Sequence, residues 1–540
     1  MTAHELVDSW FPSGLLTPQE WEAAYPERGL PPDAETTRFA PSPTGAMHLG
    51  GLYVAMLARQ LARASGGAYL VRIEDTDTRR EVAGAADDFS RVLDRFGLLP
   101  DEGDPDGAWG PYRQSRREPV YQSFARDLAQ RGLAYPCFCG PETLAADAEE
   151  QQRTRSPRGY YGKWAVCRAL GPEQVRQRMA AGAPFSLRFR CPAGIPGRTS
   201  FTDRVRGTLT MLDNGNDAVL LRSAAPGGAL PTYHFAHVVD DHLMRVTLVI
   251  RGDEWVSSLP LHRQLHTALG FRPPQYAHIA PLMKIEGAGR RKLSKRKDPE
   301  AAASFYLAAG FPAAALEHYL RGLANTRLAD LPTARALDEE IRLDRTGLAG
   351  PVVEIGKLRS VSRDYIAGLA PDEALRTLDA WATEHDPQLR ELLGAHGALA
   401  LGALEMAHRG TGRPRKDLAC WQEFRAQYGF VFPELHTVVT DHTDERFLGL
   451  APDLVTTLVD GLVDGYRHPG PAEAWFARLR TASGSGSGSG RTMLRDVANV
   501  VRVCLVGRTR SPDLFQIAQA LGEAEVLRRL RPLTTADAVS

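Results

Sequence analysis

No apolar run in this chain is long enough to cross a bilayer, so a protein built on membrane-spanning helices is excluded and no membrane partner is expected. Neither charge is in excess: Lys plus Arg and Asp plus Glu each number 65 among 540 residues. Net charge therefore points neither toward nucleic acid nor away from it, and any RNA-binding face must be a local patch. Cysteine is scarce, six in the whole chain; that is too few and too scattered for a disulfide framework, and it suits a reducing cytoplasm. The first 30 residues hold four Glu and one Asp and lack a basic start followed by an apolar core, so they do not read as a secretory signal. Gly-x-x-x-x-Gly-Lys-Ser/Thr is missing, which removes a P-loop NTPase. His-Glu-x-x-His is missing too, so His262 and His266, one helical turn apart, read as a solvated or core-edge face and not as a metal site. No repeat of solenoid period is present. What remains, 43% hydrophobic and 24% charged, is the composition of a globular chain with large cores, divided into roughly three or four domains.

The stretch with the strongest local signal is residues 37–51, TRFAPSPTGAMHLGG. A short strand-like run (Arg38, Phe39, Ala40) enters a Pro/Ser/Gly turn, and His48-Leu49-Gly50-Gly51 leads out into a helical pattern with Val54, Leu57, Ala58 and Leu61 on one face. Gly66-Gly67 ends it. A strand that delivers a glycine-rich loop into a helix N-terminus is how α/β folds hold phosphates, because free amides and the helix dipole face the anion. An ordinary strand–turn–helix has the same local pattern. A second strand over 68–73 and a helix over 82–96 continue the alternation, which argues for a parallel sheet. The acidic run Glu74-Asp75-Thr76-Asp77 follows at the strand's carboxyl end, where ligands of such sheets bind.

Far downstream, residues 289–297 (GRRKLSKRK) pack six cations around Ser294, with Gly287 and Gly289 in front. Alone this is a solvated basic loop. Together with the His-Leu-Gly-Gly loop it resembles the Lys-Met-Ser-Lys-Ser loop of class I aminoacyl-tRNA synthetases, and the upstream stretch resembles their His-Ile-Gly-His. RFAPSPTG, RIEDTD (72–77), PTYHFAHVVDDH (231–242), VIRGDEW (249–255) and KLSKRK (292–297) occur in order and narrow the resemblance to bacterial-type glutamyl-tRNA synthetases. It runs from about residue 37 to 331, with weaker similarity to the C-terminus.

The resemblance implies an α/β protein with a Rossmann-like catalytic domain and an acceptor-binding insertion, followed by an all-helical anticodon-binding region. The expected divisions are an N-terminal extension (1–35), the first catalytic half (36–113), the insertion (114–222) and the second catalytic half (223–324). A stem-contact region (325–380) and a helical anticodon-binding region (381–540) follow. The extension is rich in Trp10, Phe11, Trp21 and Tyr25 and is expected to pack on the catalytic domain. Residues 483–490 (SGSGSGSG) read as an expanded loop inside the last region, and residues 500–530 as the last helical element.

By the same resemblance, Pro41, Gly45, His48, Gly50, Gly51, Lys292, Ser294 and Lys295 bind ATP, and His48, Lys292 and Lys295 assist catalysis. Arg38, Ser42, Glu74, Tyr233, His237 and Arg251 bind L-glutamate. Arg38 and Arg251 both suit a carboxylate, since a planar guanidinium offers it two parallel donors; which one takes the side chain stays open. Many relatives carry Asn where His237 stands. Asp240 and Asp241 could form a magnesium group with Asp75 and Asp77, but Mg²⁺ on nucleotides leans on phosphates and water, so a hydrogen-bonding role is expected. Some relatives bind Zn²⁺ in the insertion through Cys-x-Cys, Tyr and Cys. Here Cys137, Cys139, Tyr161 and Cys167 are the candidate set; the alternative is buried free cysteines. The implied enzyme is a cytoplasmic, monomeric ligase that uses ATP and Mg²⁺ to charge tRNA(Glu). The alternatives are a ligase with another acceptor, such as tRNA(Gln), a modified tRNA base or a biosynthetic pathway, and a non-catalytic RNA-binding paralogue.

Overall fold

The computed structural model describes residues 3–77, 79–105, 107–192, 197–224, 230–406, 414–464, 466, 470–482 and 490–535. Two helices, α1 (Ala3–Asp8) and α2 (Pro18–Ala24), open the chain. Thr17 caps α2 reciprocally with Glu20, and Pro18 presets the first helical φ. The parallel sheet begins with β1 (Thr36–Phe39), α3 (Leu49–Ala64), β2 (Ala68–Val71) and α4 (Ala85–Arg95). α4 starts three residues later than its sequence pattern suggests because Gly84, at φ +77°, still belongs to the preceding turn. α5 (Glu118–Gln130) follows. Val7, Trp10, Phe11, Trp21 and Tyr25 of the extension pack with its Val120, Tyr121, Phe124 and Leu128, as expected of an arm with that many aromatics.

Next come β3 (Ala134–Cys137), α6 (Pro141–Arg153), α7 (Pro172–Ala180), β4 (Phe185–Phe189), β5 (Arg198–Asp203), β6 (Gly207–Leu212) and β7 (Val219–Ala224). These strands serve two sheets. β3, β4 and β7 form a separate antiparallel sheet, while the β5–β6 hairpin joins the parallel sheet at its far edge. α8 (Tyr233–Leu243), β8 (Leu248–Gly252), α9 (Leu259–Leu269) and β9 (Gln275–Ile279) complete that sheet in the order β2-β1-β8-β9-β5-β6. β1 and β2 are buried throughout and β8 nearly so, as strands covered on both faces must be. By sequence, residues 245–251 read as one buried strand, but β8 begins only at Leu248, because Arg245 is itself in a left-handed turn at φ +57°. A hairpin of β10 (Met283–Glu286) and β11 (Gly289–Lys292) carries the basic loop.

Beyond it the described residues are helical. By sequence, residues 299–309 read as one helix; they form a single turn, Pro299–Ala301, and then a helix, Ala303–Ala309. Residues 1–305 and 317–354 form one compact unit, and 306–316 with 355–540 a second. The core of the second unit is drawn from helices that include Pro371–His385, Pro452–Val463 and Gly490–Val506. The last element is split into Gly490–Val506 and Leu514–Leu530, because Gly507 turns the chain at φ +72° and Pro512 cannot continue a helix, and the second part is itself kinked at Gly522, φ +78°. Residues 483–489 of the Ser-Gly repeat lie outside the described residues.

Beneath the strand ends lies a buried ionic network. Arg72, fully buried, donates to Asp241 at 2.6 Å and to Glu74 at 3.1 Å. Asp240 accepts from Arg117 (2.7 Å), Tyr121 (2.8 Å) and Gln114 (2.8 Å). Removing one carboxylate strands several buried donors at once. Asp240→Ala is therefore expected to cost about 3–5 kcal/mol, read as a lower urea midpoint of the first unit. A loss below about 1 kcal/mol would mean that solvent or neighbours replace it easily.

Candidate active site

At the carboxyl end of β1 the loop runs to His48, which caps α3: its Nδ1 accepts from Gly50 N–H at 2.9 Å. That amide is used inside the loop and is not free for an anion, contrary to the simple glycine-loop expectation. The glycines are needed for a different closeness. A Cβ on Gly50 would stand 3.2 Å from His48 Nδ1, and one on Gly51 3.4 Å from the Phe39 ring. Burial first, then the nearby Lys295, holds His48 down to about 4, so it is neutral at pH 7. Pro41 ties this loop to the next strand, since its carbonyl accepts from Glu74 N–H at 2.9 Å. Ser42 and Gly45 lie on the same loop, and Ser42 is exposed.

The basic loop reaches the same place. Lys295 Nζ donates to the Ala46 carbonyl, and Ala303 N–H to the Met47 carbonyl at 2.9 Å. Asp298, almost wholly buried, holds the loop by accepting from Arg291 (2.7 Å) and from Ser294 N–H (2.9 Å), with Lys284 at 3.2 Å. The Arg291 hydrogen bonds come first among the causes that hold its carboxyl well below the usual range. Lys292 is exposed.

Beside these loops Arg38, Glu74, Tyr233, His237 and Arg251 come together as expected. Arg38 shares Asp241 with Arg72, through Nε at 3.2 Å, and donates to the Ile250 carbonyl at 3.3 Å. Arg251, 5% exposed, has only neutral partners: His278 (2.9 Å), Tyr233 OH (3.2 Å), His262 (3.4 Å) and the Trp255 carbonyl (3.4 Å). Among the described residues no carboxylate pairs with it. Four guanidiniums, Arg38, Arg72, Arg117 and Arg251, thus face three carboxylates, Glu74, Asp240 and Asp241. Burial further raises the Glu74 pKa. His237 stacks on Tyr233 (5.6 Å, 9°) and lies 2.8 Å from Asp241, and burial lowers it to about 3. It adds no charge to the pocket.

Asp240, Asp241 and Asp75 carry hydrogen bonds, as expected. Asp75 accepts from Ser115 N–H and Oγ, both at 2.7 Å. Of the two readings of His262 and His266, a solvated or a core-edge face, the solvated one fails: they are buried, 0% and 2% exposed. α9 packs that side against α8, and His262 lies 4.7 Å from the His237 ring and 3.0 Å from His234 Nδ1. His262, Tyr276 and His278 are pocket-wall residues that sequence reasoning missed. The one available signal was that His278 sits near the carboxyl end of a strand of the parallel sheet.

In the smaller sheet Cys137, Cys139 and Cys167 bring their sulfurs within 4.8 Å of one another. The Cys139–Cys167 separation, 3.6 Å, is close to the about 3.8 Å between thiolates that share a tetrahedral zinc at about 2.3 Å. The tyrosine beside them is Tyr160, with OH 3.2 Å from Cys139 Sγ, and not Tyr161, which donates outward to the Pro157 carbonyl at 2.6 Å. Tyr161 is extended, and successive side chains of an extended segment point opposite ways. A hydrogen bond from Cys167 pulls Cys137 down to about 4, while burial pushes Cys139 up. The donor set fits one zinc.

Residues 35–348 match the family of class I tRNA synthetases (E and Q), catalytic domain, and residues 491–533 match an anticodon binding domain. The chain is 36% identical to the glutamate–tRNA ligase of Clostridium perfringens strain 13, covering 98% of this chain and 100% of that one. It is 37% identical to that of Clostridium beijerinckii, covering 98% and 99%. A crystal structure of a glutamate tRNA ligase from Elizabethkingia meningosepticum in complex with its amino acid superposes with a TM-score of 0.76 at 25% identity, covering 92% of this chain and 99% of that one.

The buried neutral histidines set a pH dependence. His266, with no partner for either ring nitrogen, is lowered to about 4 by burial, against about 6.5 when unfolded. Below about pH 6.5 the unfolded chain takes up a proton that the folded one refuses, so stability falls toward pH 4. His266→Leu should make the slope of unfolding free energy between pH 6 and 4.5 shallower by about 1.2 kcal/mol per pH unit. An unchanged slope would show that folded His266 is protonated.

Proposed function

The chain belongs to the class I tRNA synthetases of the glutamate and glutamine group, and we propose that it joins L-glutamate to tRNA(Glu) with cleavage of ATP. The observation that carries the choice of amino acid is Arg251, a buried cation without a carboxylate at the carboxyl end of β8. A substrate carboxylate supplies the missing counter-charge, and Tyr233 stands beside it to complete the pocket. Arg38 is the second cation within reach of a two-carboxylate substrate. Glu74 and Ser42 are assigned to its ammonium.

In the first step the α-carboxylate of glutamate attacks the α-phosphorus of ATP, and pyrophosphate leaves. Such displacements need positioning and charge stabilisation more than acid–base help. Pro41, Gly45, His48, Gly50 and Gly51 cradle ATP. Neutral His48 donates without adding charge. Lys292, Ser294 and Lys295 meet the leaving phosphates, and Asp298 holds their loop in place. Mg²⁺ arrives on ATP as part of that substrate, since Asp75, Asp240 and Asp241 already spend their oxygens on protein donors. In the second step the 2′-hydroxyl of the terminal adenosine takes the glutamyl group and AMP leaves.

For the RNA, the second unit offers a cleft of about 490 Å³ lined by Arg415, Arg446, Arg508 and Arg510 with Ser511 and Pro512. Among the described residues Arg508 donates to the carbonyls of Ala426 and Gln427, while Arg415 and Arg446 are paired with Asp417 and Asp444. A cation held by neutral carbonyls, as Arg508 is, suits an anticodon loop. The enzyme is proposed to act as a cytoplasmic monomer. Zinc, held by Cys137, Cys139, Cys167 and Tyr160, would brace the small sheet and take no part in the chemistry.

Glutamate-dependent ATP–pyrophosphate exchange, with and without tRNA, tests the reading. Arg251→Ala should lower it by at least about a hundredfold, the scale of a broken buried pair (about 3–5 kcal/mol), and leave ATP binding nearly intact. Normal exchange in that variant would remove Arg251 from the pocket. Failure to charge either tRNA(Glu) or tRNA(Gln) would point to another acceptor. Protein prepared without chelator should carry about one zinc per chain, lost in Cys167→Ser, weakened in Tyr160→Phe and kept in Tyr161→Phe. Metal-free protein would rule the site out.

A further inference from the structure

Arg251 is held from behind by two buried residues that no motif marks. Asp203, the last residue of β5, is 3% exposed, and His278 on β9 is 0% exposed. One side of the Asp203 carboxylate closes its own turn: Oδ1 accepts from the Val205 and Arg206 amides, both at 2.9 Å. The other side faces His278, with Oδ2 at 2.6 Å from Nδ1 and 3.1 Å from the backbone N–H. Across the imidazole, Nε2 stands 2.9 Å from Arg251 Nε. An arginine Nε can only donate, so His278 Nε2 must accept, and a neutral imidazole that accepts at Nε2 carries its proton on Nδ1. The carboxylate is the one group beside Nδ1 that requires that tautomer. With Nε engaged and the Tyr276 ring 4.8 Å from the guanidinium carbon, the plane of the guanidinium is determined. Its NH1 is left to face Tyr233 OH at 3.2 Å.

We propose that Asp203 and His278 are positioning residues for amino-acid selection: the carboxylate sets the imidazole tautomer, and the imidazole sets the rotation of Arg251 toward the substrate carboxylate. This rests on the reading that Arg251 binds glutamate. It also makes the β5–β6 hairpin, which joins the parallel sheet at its far edge, a participant in the pocket.

The test uses Asp203→Asn. An asparagine can keep its oxygen on the Val205 and Arg206 amides, which preserves the turn. Its NH₂ then faces His278, forces Nδ1 to accept, and leaves Nε2–H pointing at Arg251 Nε–H. In pyrophosphate exchange KM for glutamate should rise about 10- to 100-fold, the usual scale for a displaced binding group, while KM for ATP and the melting temperature change little. His278→Gln places an amide oxygen near the Nε2 position and needs no tautomer. It should bind glutamate within about fivefold of the parent, and adding Asp203→Asn to it should cost nothing more, because the coupled term is gone. Equal Asp203→Asn penalties in both backgrounds would overturn the proposal, leaving Asp203 a turn residue only. Should Asp203→Asn not fold, nitrogen NMR of the unaltered protein decides, with the His278 signal assigned by its loss in His278→Gln. A proton on Nδ1 supports the chain of contacts, and one on Nε2 overturns it. Normal exchange in Arg251→Ala would instead sink the underlying reading.

Discussion

Arg72 has no exposed surface, and a guanidinium cannot shed its proton to make burial cheap. The first unit is arranged around that constraint. α8 supplies Asp240 and Asp241 in succession, and Glu74 follows the strand from which Arg72 itself emerges. α5 and the turn before it add Arg117, Tyr121 and Gln114 to the outer oxygens of Asp240. These hydrogen bonds and ion pairs tie α8 beneath the strand ends, although Arg72 Nε, Arg117 NH2 and Gln114 Oε1 find no hydrogen-bond partner among the described residues, and α8 carries Tyr233 and His237. The polar interior thereby places two walls of the pocket.

Against that balanced interior Arg251 stands out. Its neighbours are imidazoles, a phenol and a carbonyl, which bind the guanidinium without neutralising it. Surrounding histidines can do this because burial keeps them uncharged: His237 is lowered to about 3, and His262 and His234 are lowered as well. A carboxylate in any of these positions would satisfy the cation internally and close the pocket to an acidic substrate. Charge is therefore withheld at one place and matched everywhere around it.

The phosphate side relies on backbone more than on charge balance. His48 closes its own helix cap, and Lys295 rests on the carbonyl of Ala46 two residues before it. A lysine resting on a neutral carbonyl has little to give up when a phosphate arrives. The buried Asp298 meanwhile keeps the basic loop in place through Arg291, Lys284 and Ser294, so Lys292 and Lys295 are mounted on a braced stem.

Much of this was legible in the chain. The strand–glycine–helix pattern, the parallel sheet and the helical second half follow from periodicity and turn residues, which are local; the cluster of Arg38, Glu74, Tyr233, His237 and Arg251 was implied only by the family resemblance that five ordered motifs carry. Element ends slipped where one glycine or a left-handed residue extended a turn, as at Gly84 and Arg245. Partner choice was not legible. Tyr160 and Tyr161 are adjacent and chemically equal, and only the extended backbone between them decides which one faces the cysteines. His262 reads as surface by its helical spacing until α8 is packed over it. Asp203 and His278 lie 75 residues apart, and no local pattern pairs them. The sequence by itself determined which segments form strands, helices and loops, because backbone propensity and hydrophobic spacing act over a few residues. Which side chains share a buried space was decided by the tertiary structure alone, because that depends on how far-separated segments pack and on which of their buried polar groups are thereby brought within hydrogen-bond reach.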